Sequence, residues 1–576
     1  MSTTAVGNWV SVGCDEQAAK LLAGDLGVSI VLARLLVNRG LTSPAAADEF
    51  LNPSMDRLHD PFDLPDMALA AARVVKAIRG KEKILVHGDY DVDGISSAAL
   101  LVRMLRALDA DVIARVPHRK RDGYDIKPAT IEEAKAKGVT LVITADCGVT
   151  ACETASHAEG LGIDLVVTDH HEPGPHLPKA VAVVNPRRRG CHYPFKDLAG
   201  VGVAFKLAQA VVRELGLPEA SFQRKFLDLV ALGTVGDVCP LLGENRTLVK
   251  FGMEDLASTR KVGLRSLIRS CDLEGKPLTT YSLGFQLGPR INAVGRMDDS
   301  AIALQLFLTK DEAEAIDLVG VLQARNSERQ AEQARVWSDV VKMLDGRDLD
   351  GTHVVVLAAA GWNAGVVGIV ANKVVENYFR PAILISANEE TGIGSGSARS
   401  IDTFDIGAAL EQCRDLLLRC GGHAFAAGVS LKLDKLEAFE ERLNSIAAQV
   451  IKPEDLIPHL EVEGELGVED ITESLLEDLA RLEPFGVGNP EPLFMTRRAE
   501  SVDCKTVGSD QAHLKLRVRG DATIPVDCIA FGFGPVCDSI PVGSSVDLCY
   551  NVRRNSYNGN ESIQLMVKDL NASGRS

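Results

Sequence analysis

The sequence predicts a multidomain α/β protein. Two α/β units are joined by a long helix, a mostly helical region precedes them, and a small β-barrel follows. Three observations predict this. From residue 81, short apolar runs alternate with helical stretches, the grammar of a parallel sheet with helical crossovers. No Gly or Pro interrupts Val321–Leu344, so one long helix can run there. After Lys452-Pro453, short alternating segments are separated by turn residues, which is the pattern of a barrel.

Residues 1–80 are rich in Ala, Leu and Arg and broken at Asn52-Pro53 and Asp60-Pro61, so helices are expected there. A first α/β domain spans 81–305. Its strands are expected at Ile84–His87, Val112–Val116, Leu141–Thr144, Leu165–Thr168 and Ala182–Val184, with helices such as Ser96–Leu108 and Ile131–Lys137 between them. A polar connecting helix covers 306–350, with Asn326, Glu328, Arg329 and Gln330 in its middle. A second α/β domain covers 351–452, starting with a strand at His353–Ala358. The barrel fills 453–576, with strands such as His513–Val518 and Ser545–Val552.

Composition bounds the partners. There are 62 Lys and Arg against 79 Asp and Glu, a formal net charge of −17. That excludes a uniformly basic nucleic-acid binder and requires any such partner to be met by local Arg and Lys. The 12 cysteines form no C-x-x-C pair, so buried free thiols in a reducing cytosol are expected. Met1–Val10 lacks the charged-then-apolar order of a secretory signal, and no apolar run approaches a membrane span of ~20 residues, so a cytoplasmic protein is expected.

The densest chemistry lies in Lys83-Ile-Leu-Val-His-Gly-Asp-Tyr-Asp-Val-Asp-Gly94. A strand delivers His87, Asp89, Asp91 and Asp93 into one turn, where a divalent cation would neutralise the repulsion between the acids. A calcium loop of the EF-hand type would need Glu at its twelfth position; Leu100 stands there, and a strand precedes the loop where a helix is required. Two further strand ends carry Asp146 and the triplet Asp169-His170-His171, and Asp237 lies in an apolar run. A lone Asp after a strand is commonly a cap or a turn residue, which accounts for Asp111 and Asp164. A lone histidine such as His157 or His353 is more often a surface or core residue. Five or six Asp and His at successive strand ends are not explained that way, because ligands of parallel sheets gather at those ends. Mixed Asp and His without a cysteine cluster favour Mn²⁺ or Mg²⁺, and so many carboxylates point to two ions sharing one bridging Asp.

These motifs resemble those of the DHH phosphoesterase family: Asp89-Tyr-Asp-Val-Asp-Gly94, Thr144-Ala-Asp-Cys-Gly148, Asp169-His-His171 and Asp237 in succession. The resemblance is nearest to the branch of single-strand-specific 5′→3′ DNA exonucleases and extends from Leu51-Asn-Pro53 to the barrel. It implies a DHH catalytic domain, a DHH-associated domain and an OB-like barrel. It also implies that His87, Asp91 and Asp146 hold one ion and that Asp93, Asp146, His170 and Asp237 hold the other. Asp89 would assist the first ion or orient a water, His171 would sit beside the scissile phosphate, and Asp169 would hold a histidine ring. The partners it implies are single-stranded DNA, a single-strand-binding protein and a RecQ-type helicase; the chain would act as a monomer in DNA repair and recombination, releasing 5′-mononucleotides.

Arginine forks match phosphate oxygens, though a single Arg is also read as a solvated surface residue; the similarity of Gly288–Met297 to a phosphate-holding stretch of the family implies Arg290, Asn292 and Arg296 as phosphate contacts. Two Gly-rich patches, 392–400 and 421–428, add Ser397, Arg399, Gly422 and His423 as lining of an anion nest. Where the family usually has His after Trp362, this chain has Asn363. Arg115–Arg121 and Arg187–Arg189 are basic clusters, each readable as a solvated face or as a phosphate track. Phe531 and Phe533 are either a stacking surface or barrel core, with core favoured for at least one. Two rival functions stay open: a DHH phosphodiesterase acting on short oligonucleotides or cyclic dinucleotides, and a non-catalytic replication scaffold.

Overall fold

The computed structural model describes residues 8–572 apart from 120, 124, 298, 348, 522, 523, 558 and 559. The first α/β unit is built on five parallel strands. Their spatial order is Asp111–Arg115, Lys83–Gly88, Leu141–Ala145, Asp164–Thr168, Ala182–Val184. Alternate residues enter different cores: Ile84 and Val86 face helices Met67–Arg79, Val92–Ala107, Gly200–Glu214 and Leu227–Gly236. Leu85 faces helices Pro128–Ala136 and Cys152–Gly160 on the other side. Burial on both faces is why these strands read as unbroken apolar runs. The chain crosses from Lys83–Gly88 first to one neighbour and then to the other, so a topological switch point lies between Lys83–Gly88 and Leu141–Ala145.

The polar stretch after residue 300 is two helices, Ala301–Leu308 and Glu312–Leu344. Asp311 separates them because its side chain accepts the Ala313 and Glu314 amides and caps the longer helix. That helix joins the two units through its own apolar face: Ala315, Val319 and Leu322 lie in the first core, and Val336, Trp337 and Val340 in the second. The second unit has a mixed sheet, ordered Leu417–Gly422, Ala426–Lys432, Ile393–Arg399, Ala382–Asn388, Val355–Ala360. Only the pair Val355–Ala360 and Ala382–Asn388 is parallel.

Strands Phe494–Val507, His513–Arg519, Val526–Ala530, Asn560–Ala572 and Ser545–Tyr557 close into a five-stranded barrel, because the last also pairs with the first. Phe533 is in its core and Phe531 is exposed. The helical residues before 80 divide between two cores. Leu22, Leu32, Leu36 and Phe50 pack with the barrel and with helix Glu473–Leu482, whereas Met67–Arg79 packs on the parallel sheet of the first α/β unit. Arg246, almost fully buried, ties these regions by donating to the carbonyls of Phe50, Arg481, Leu482, Glu483 and Pro484. Among the described residues no helix is long and apolar enough to cross a membrane.

Candidate metal centre

The acidic residues meet at the switch point. The loop after Lys83–Gly88 turns directly into helix Val92–Ala107, whose start precedes the Ser96 expected from the pattern. The reason is Asp91: its side chain accepts the amides of Asp93 and Gly94 at 3.1 and 3.0 Å and caps the helix. Asp93 therefore sits inside the first turn, at the positive end of the helix. Gly94 is required by packing, since a Cβ there would lie 2.4 Å from the Asp89 amide nitrogen.

Asp146 follows Leu141–Ala145 in a left-handed conformation, φ 65°. It belongs to two groupings. Asp89, Asp91 and Asp146 offer oxygens within 4.8 Å of one another. On the other side, His170 Nε2 lies 3.2 Å from Asp146 Oδ1, 3.5 Å from Asp237 Oδ2 and 4.0 Å from Asp93 Oδ2. Asp237 arrives as the C-cap of helix Leu227–Gly236. Asp93 also accepts the amides of Gly200 and Val201, both at 2.8 Å, which fixes the start of helix Gly200–Glu214 against the site. A Cβ on Gly200 would fall 2.3 Å from Asp146 Oδ1.

The residues present fit divalent cations. Burial, followed by repulsion from neighbouring acids, raises the pKa of Asp93 and Asp237 to about 7 and moves those of Asp89 and Asp146 up as well. Burial lowers the pKa of His87 to about 3, so its ring is neutral, the form that ligates metal. Asp89 Oδ1, Asp146 Oδ1, His170 Nε2 and both ring nitrogens of His87 are buried without a hydrogen-bond partner. Buried polar atoms of this kind are rare and expensive; Asp89, Asp146 and His170 fall within the possible ion groupings, whereas His87, among the described residues, is in none of them.

Asp169 stands apart from the ion groupings. Its carboxylate accepts the amides of Val149, His170 and His171 and the Nδ1 of His171 at 2.8 Å. Burial works most strongly against the charged forms of both residues, but their mutual hydrogen bond and attraction, together with the other contacts, outweigh it. Asp169 is held below the usual carboxylate range, and His171 is raised to about 9 with help from Asp237 and Asp91. The ring that Asp169 orients is thus His171, whose side chain is 43% exposed at the edge of the site.

Around Tyr90, between Asp89 and Asp91 in the acidic loop, is a nest of arginines. Arg296, on helix Gly288–Met297, donates to the Gly365 carbonyl, and its pKa is pushed down to about 10 by burial and then by Arg119, Arg329 and Arg399. Arg119 lies over the Tyr90 ring at 5.1 Å. Arg329 donates to the side chains of Asn326 and Gln333. Arg399 is reached from the second unit, with Ser397 beside it against Gly368. Among the described residues none of the four has a carboxylate within ion-pair distance. Asn292 faces inward: its Oδ1 accepts the Val92 amide at 2.9 Å, so it braces the acidic loop. Arg290 is engaged by Gln323 and the Gln286 carbonyl, outside the nest. Gly422 and His423 lie at the turn between Leu417–Gly422 and Ala426–Lys432, one strand over from Arg399. Asn363 caps its own loop by accepting the Gly365 amide.

Of the basic clusters, Arg115, Arg121, Arg187 and Arg188 are paired with Glu133, Asp122, Asp197 and Asp66, and Lys120 lies outside the described residues. Three participants carry only a weak signal in the sequence. Arg119 is hidden in a basic run, Arg329 is one polar residue of a polar helix, and Gly200 has as its only signal two glycines opening a helix.

Buried acids whose mutual repulsion a divalent cation would relieve, beside arginines whose repulsion an anion would relieve, suit metal-dependent work on a phosphate ester, and the sheet that carries them is that of the DHH phosphoesterases. Family models agree: the DHH family N-terminal domain matches residues 83–234, the DHHA1 domain 351–449 and the RecJ OB domain 462–569. The chain is 40% identical over 555 residues to the single-stranded-DNA-specific exonuclease RecJ of Bacillus subtilis, covering 96% of this chain and 70% of that protein. It is 34% identical over 563 residues to RecJ of Escherichia coli K12, covering 94% and 95%. The crystal structure of Thermus thermophilus RecJ in complex with Mn²⁺ superposes with a TM-score of 0.84 at 31% identity, over 99% of this chain and 80% of that one. A Mg²⁺ complex of the same protein gives 0.78. The chain belongs to the RecJ family.

Proposed function

We propose that this chain is a metal-dependent exonuclease that hydrolyses phosphodiester bonds of single-stranded DNA from the 5′ end and releases 5′-mononucleotides. The observation that carries this reading is the juxtaposition of the uncompensated acids with the uncompensated arginines. Divalent cations held by the acids and a nucleic-acid phosphate held by the guanidiniums would satisfy both.

His87, Asp91 and Asp146 would hold one Mn²⁺ or Mg²⁺ and Asp93, Asp146, His170 and Asp237 the other, with Asp89 at the edge of the first. Such ions would supply an ionised water at neutral pH and charge stabilisation for the phosphoryl oxygens. The remaining work falls to the chain. Asp169 fixes the His171 ring and keeps it protonated through Nδ1, so His171 stabilises developing negative charge and gives a proton from Nε2 to the leaving oxygen. Arg296, Arg399, Ser397, Arg119 and Arg329 seat a phosphate; a buried seat of this charge suits a terminal phosphate, which a 5′ end carries. Asn292 acts by holding the loop of Asp89–Asp93 in place. Arg290, Gly422 and His423 would meet the strand farther out.

The same reading gives a monomer working in the cytoplasm in DNA repair and recombination, supplied with strands by a RecQ-type helicase and a single-strand-binding protein. We also propose domain limits at 1–80, 81–305, 306–350, 351–452 and 453–576. Digestion of strands labelled at one end tests the polarity. The 5′ label is expected to appear at once as a mononucleotide, whereas its retention while the 3′ label is lost would reverse the assignment.

A further inference from the structure

Two large aromatic side chains are left exposed on the segment that leads into helix Gly288–Met297. Tyr281 is 63% and Phe285 70% exposed. They are one helical turn apart, and their rings stack on each other at 5.1 Å between centroids and 20° between planes. Apolar rings on a surface have a cost, and a stacked pair is a flat, ready-made π face. The backbone beneath them is a π-helical turn, Ser282–Leu287, a geometry common where function re-aims a helix face.

Position gives the pair its meaning. The π turn runs straight into Gly288–Met297, the helix that carries Asn292 and Arg296. Gly284 sits against Val235, in the helix that ends at Asp237. At the other end, Thr280 Oγ1 donates to the Phe485 carbonyl, ahead of the first barrel strand. The run from Tyr281 to Asn292 thus leads from the barrel to the acidic loop. Its length is about 16 Å, room for about four or five stacked bases. The barrel's own aromatics supply little, since Phe533 is buried and Phe531 stands edge-on to His513.

We propose that Tyr281 and Phe285 form a base-stacking platform for the part of the single strand that trails from the metal centre toward the barrel. This rests on the single-strand reading above and adds to it the residues that grip bases. Stacking on an aromatic face is tolerant of sequence and demands an unpaired base, so the platform selects single strands over duplex.

The test uses the full chain and strands carrying 2-aminopurine at successive positions from the 5′ end, in EDTA so that nothing is cleaved. In the wild type, fluorescence quenches where a base meets the platform. In the Tyr281→Ala, Phe285→Ala double variant that quench is lost. With Mn²⁺ restored, KM for a long strand rises about 5- to 150-fold, the range for losing a stacked base. The kcat/KM of the long strand relative to a dinucleotide falls correspondingly, and Tyr281→Phe retains the wild-type ratio. If the wild type binds and degrades strands but the double variant shows the same quench and the same KM, the platform is wrong and the exonuclease reading stands. Equal losses on long strand and dinucleotide also overturn it, because they report damage to the metal centre. A wild type that neither binds nor degrades single strands overturns both.

Discussion

Asp146 is the residue on which both halves of the site depend. Its oxygen is 3.2 Å from His170 and it shares a cluster with Asp89 and Asp91, so removing it disturbs every charge in the pocket. The acids also set a pH dependence. Asp93 and Asp237, with pKa values of about 7, bind protons more tightly folded than unfolded. Their contribution to stability is full below the unfolded value near 3.8 and is lost as pH rises through about 7. Protein stripped of divalent ions is therefore expected to melt lower at pH 8 than at pH 5, by about 1.4 kcal/mol per pH unit for each proton concerned. Added Mn²⁺ should raise the melting temperature more at pH 8, where it replaces no protons. Differential scanning calorimetry at the two pH values checks this; an equal metal-induced shift at both would show that these acids do not surround the cations. Asp91, Asp93, Asp146, His170 and Asp237, which the structure brings together, stand at or near element ends in the sequence, where a bare acid or imidazole interrupts an apolar pattern; His87 stands at such a place too but joins none of the groupings among the described residues. The part played by Asp169 was also readable, though not which histidine it holds. Asn292 is readable as a phosphate contact, and its Oδ1 also braces the Val92 amide, a contact across 200 residues that no local pattern encodes.

At the scale of elements, helix starts do the positioning. Asp91 caps Val92–Ala107 and Asp93 receives the amides that open Gly200–Glu214, so the acids that line the pocket also fasten two helices to it. Gly200 makes this approach possible. A Gly200→Ala variant places its methyl 2.3 Å from Asp146 Oδ1, and backbone or carboxylate must move. Since a misplacement of ~1 Å can cost about 10²-fold in rate, we expect at least that loss with the fold retained. Circular dichroism beside metal content and turnover would check it; a variant with normal turnover would show that the helix start does not control Asp146. The alternation of elements revealed the two α/β units and the barrel. It did not reveal that Asp311 splits the helical stretch after 300, because an Asp there reads equally well as one more polar surface residue. Nor did it show the mixed order of the second sheet, which depends on pairing between segments rather than on any segment alone.

At the scale of the whole molecule, the chain folds back on itself. Strand Trp9–Ser11 pairs with Leu460–Val462, and the first helices share a core with the barrel. Residues before 80 looked like one helical region because composition is local, whereas the two cores that divide them are built by contacts hundreds of residues apart. The arginine nest has the same origin: Arg119, Arg296, Arg329 and Arg399 come from the catalytic lobe, the connecting helix and the second unit. An acidic chain of net charge −17 thereby presents concentrated positive charge in one place, opposite its most concentrated negative charge. The account stands or falls on whether that pairing works on a strand. The direct measurement is nucleotide release from a long single strand and from the matching blunt duplex, with Mn²⁺, by the wild type and by Asp146→Ala. The account predicts mononucleotides from the single strand, little from the duplex, and a loss of at least about 10³-fold in the variant. Duplex degraded as fast as single strand, or an Asp146→Ala protein with near-normal release, would contradict it.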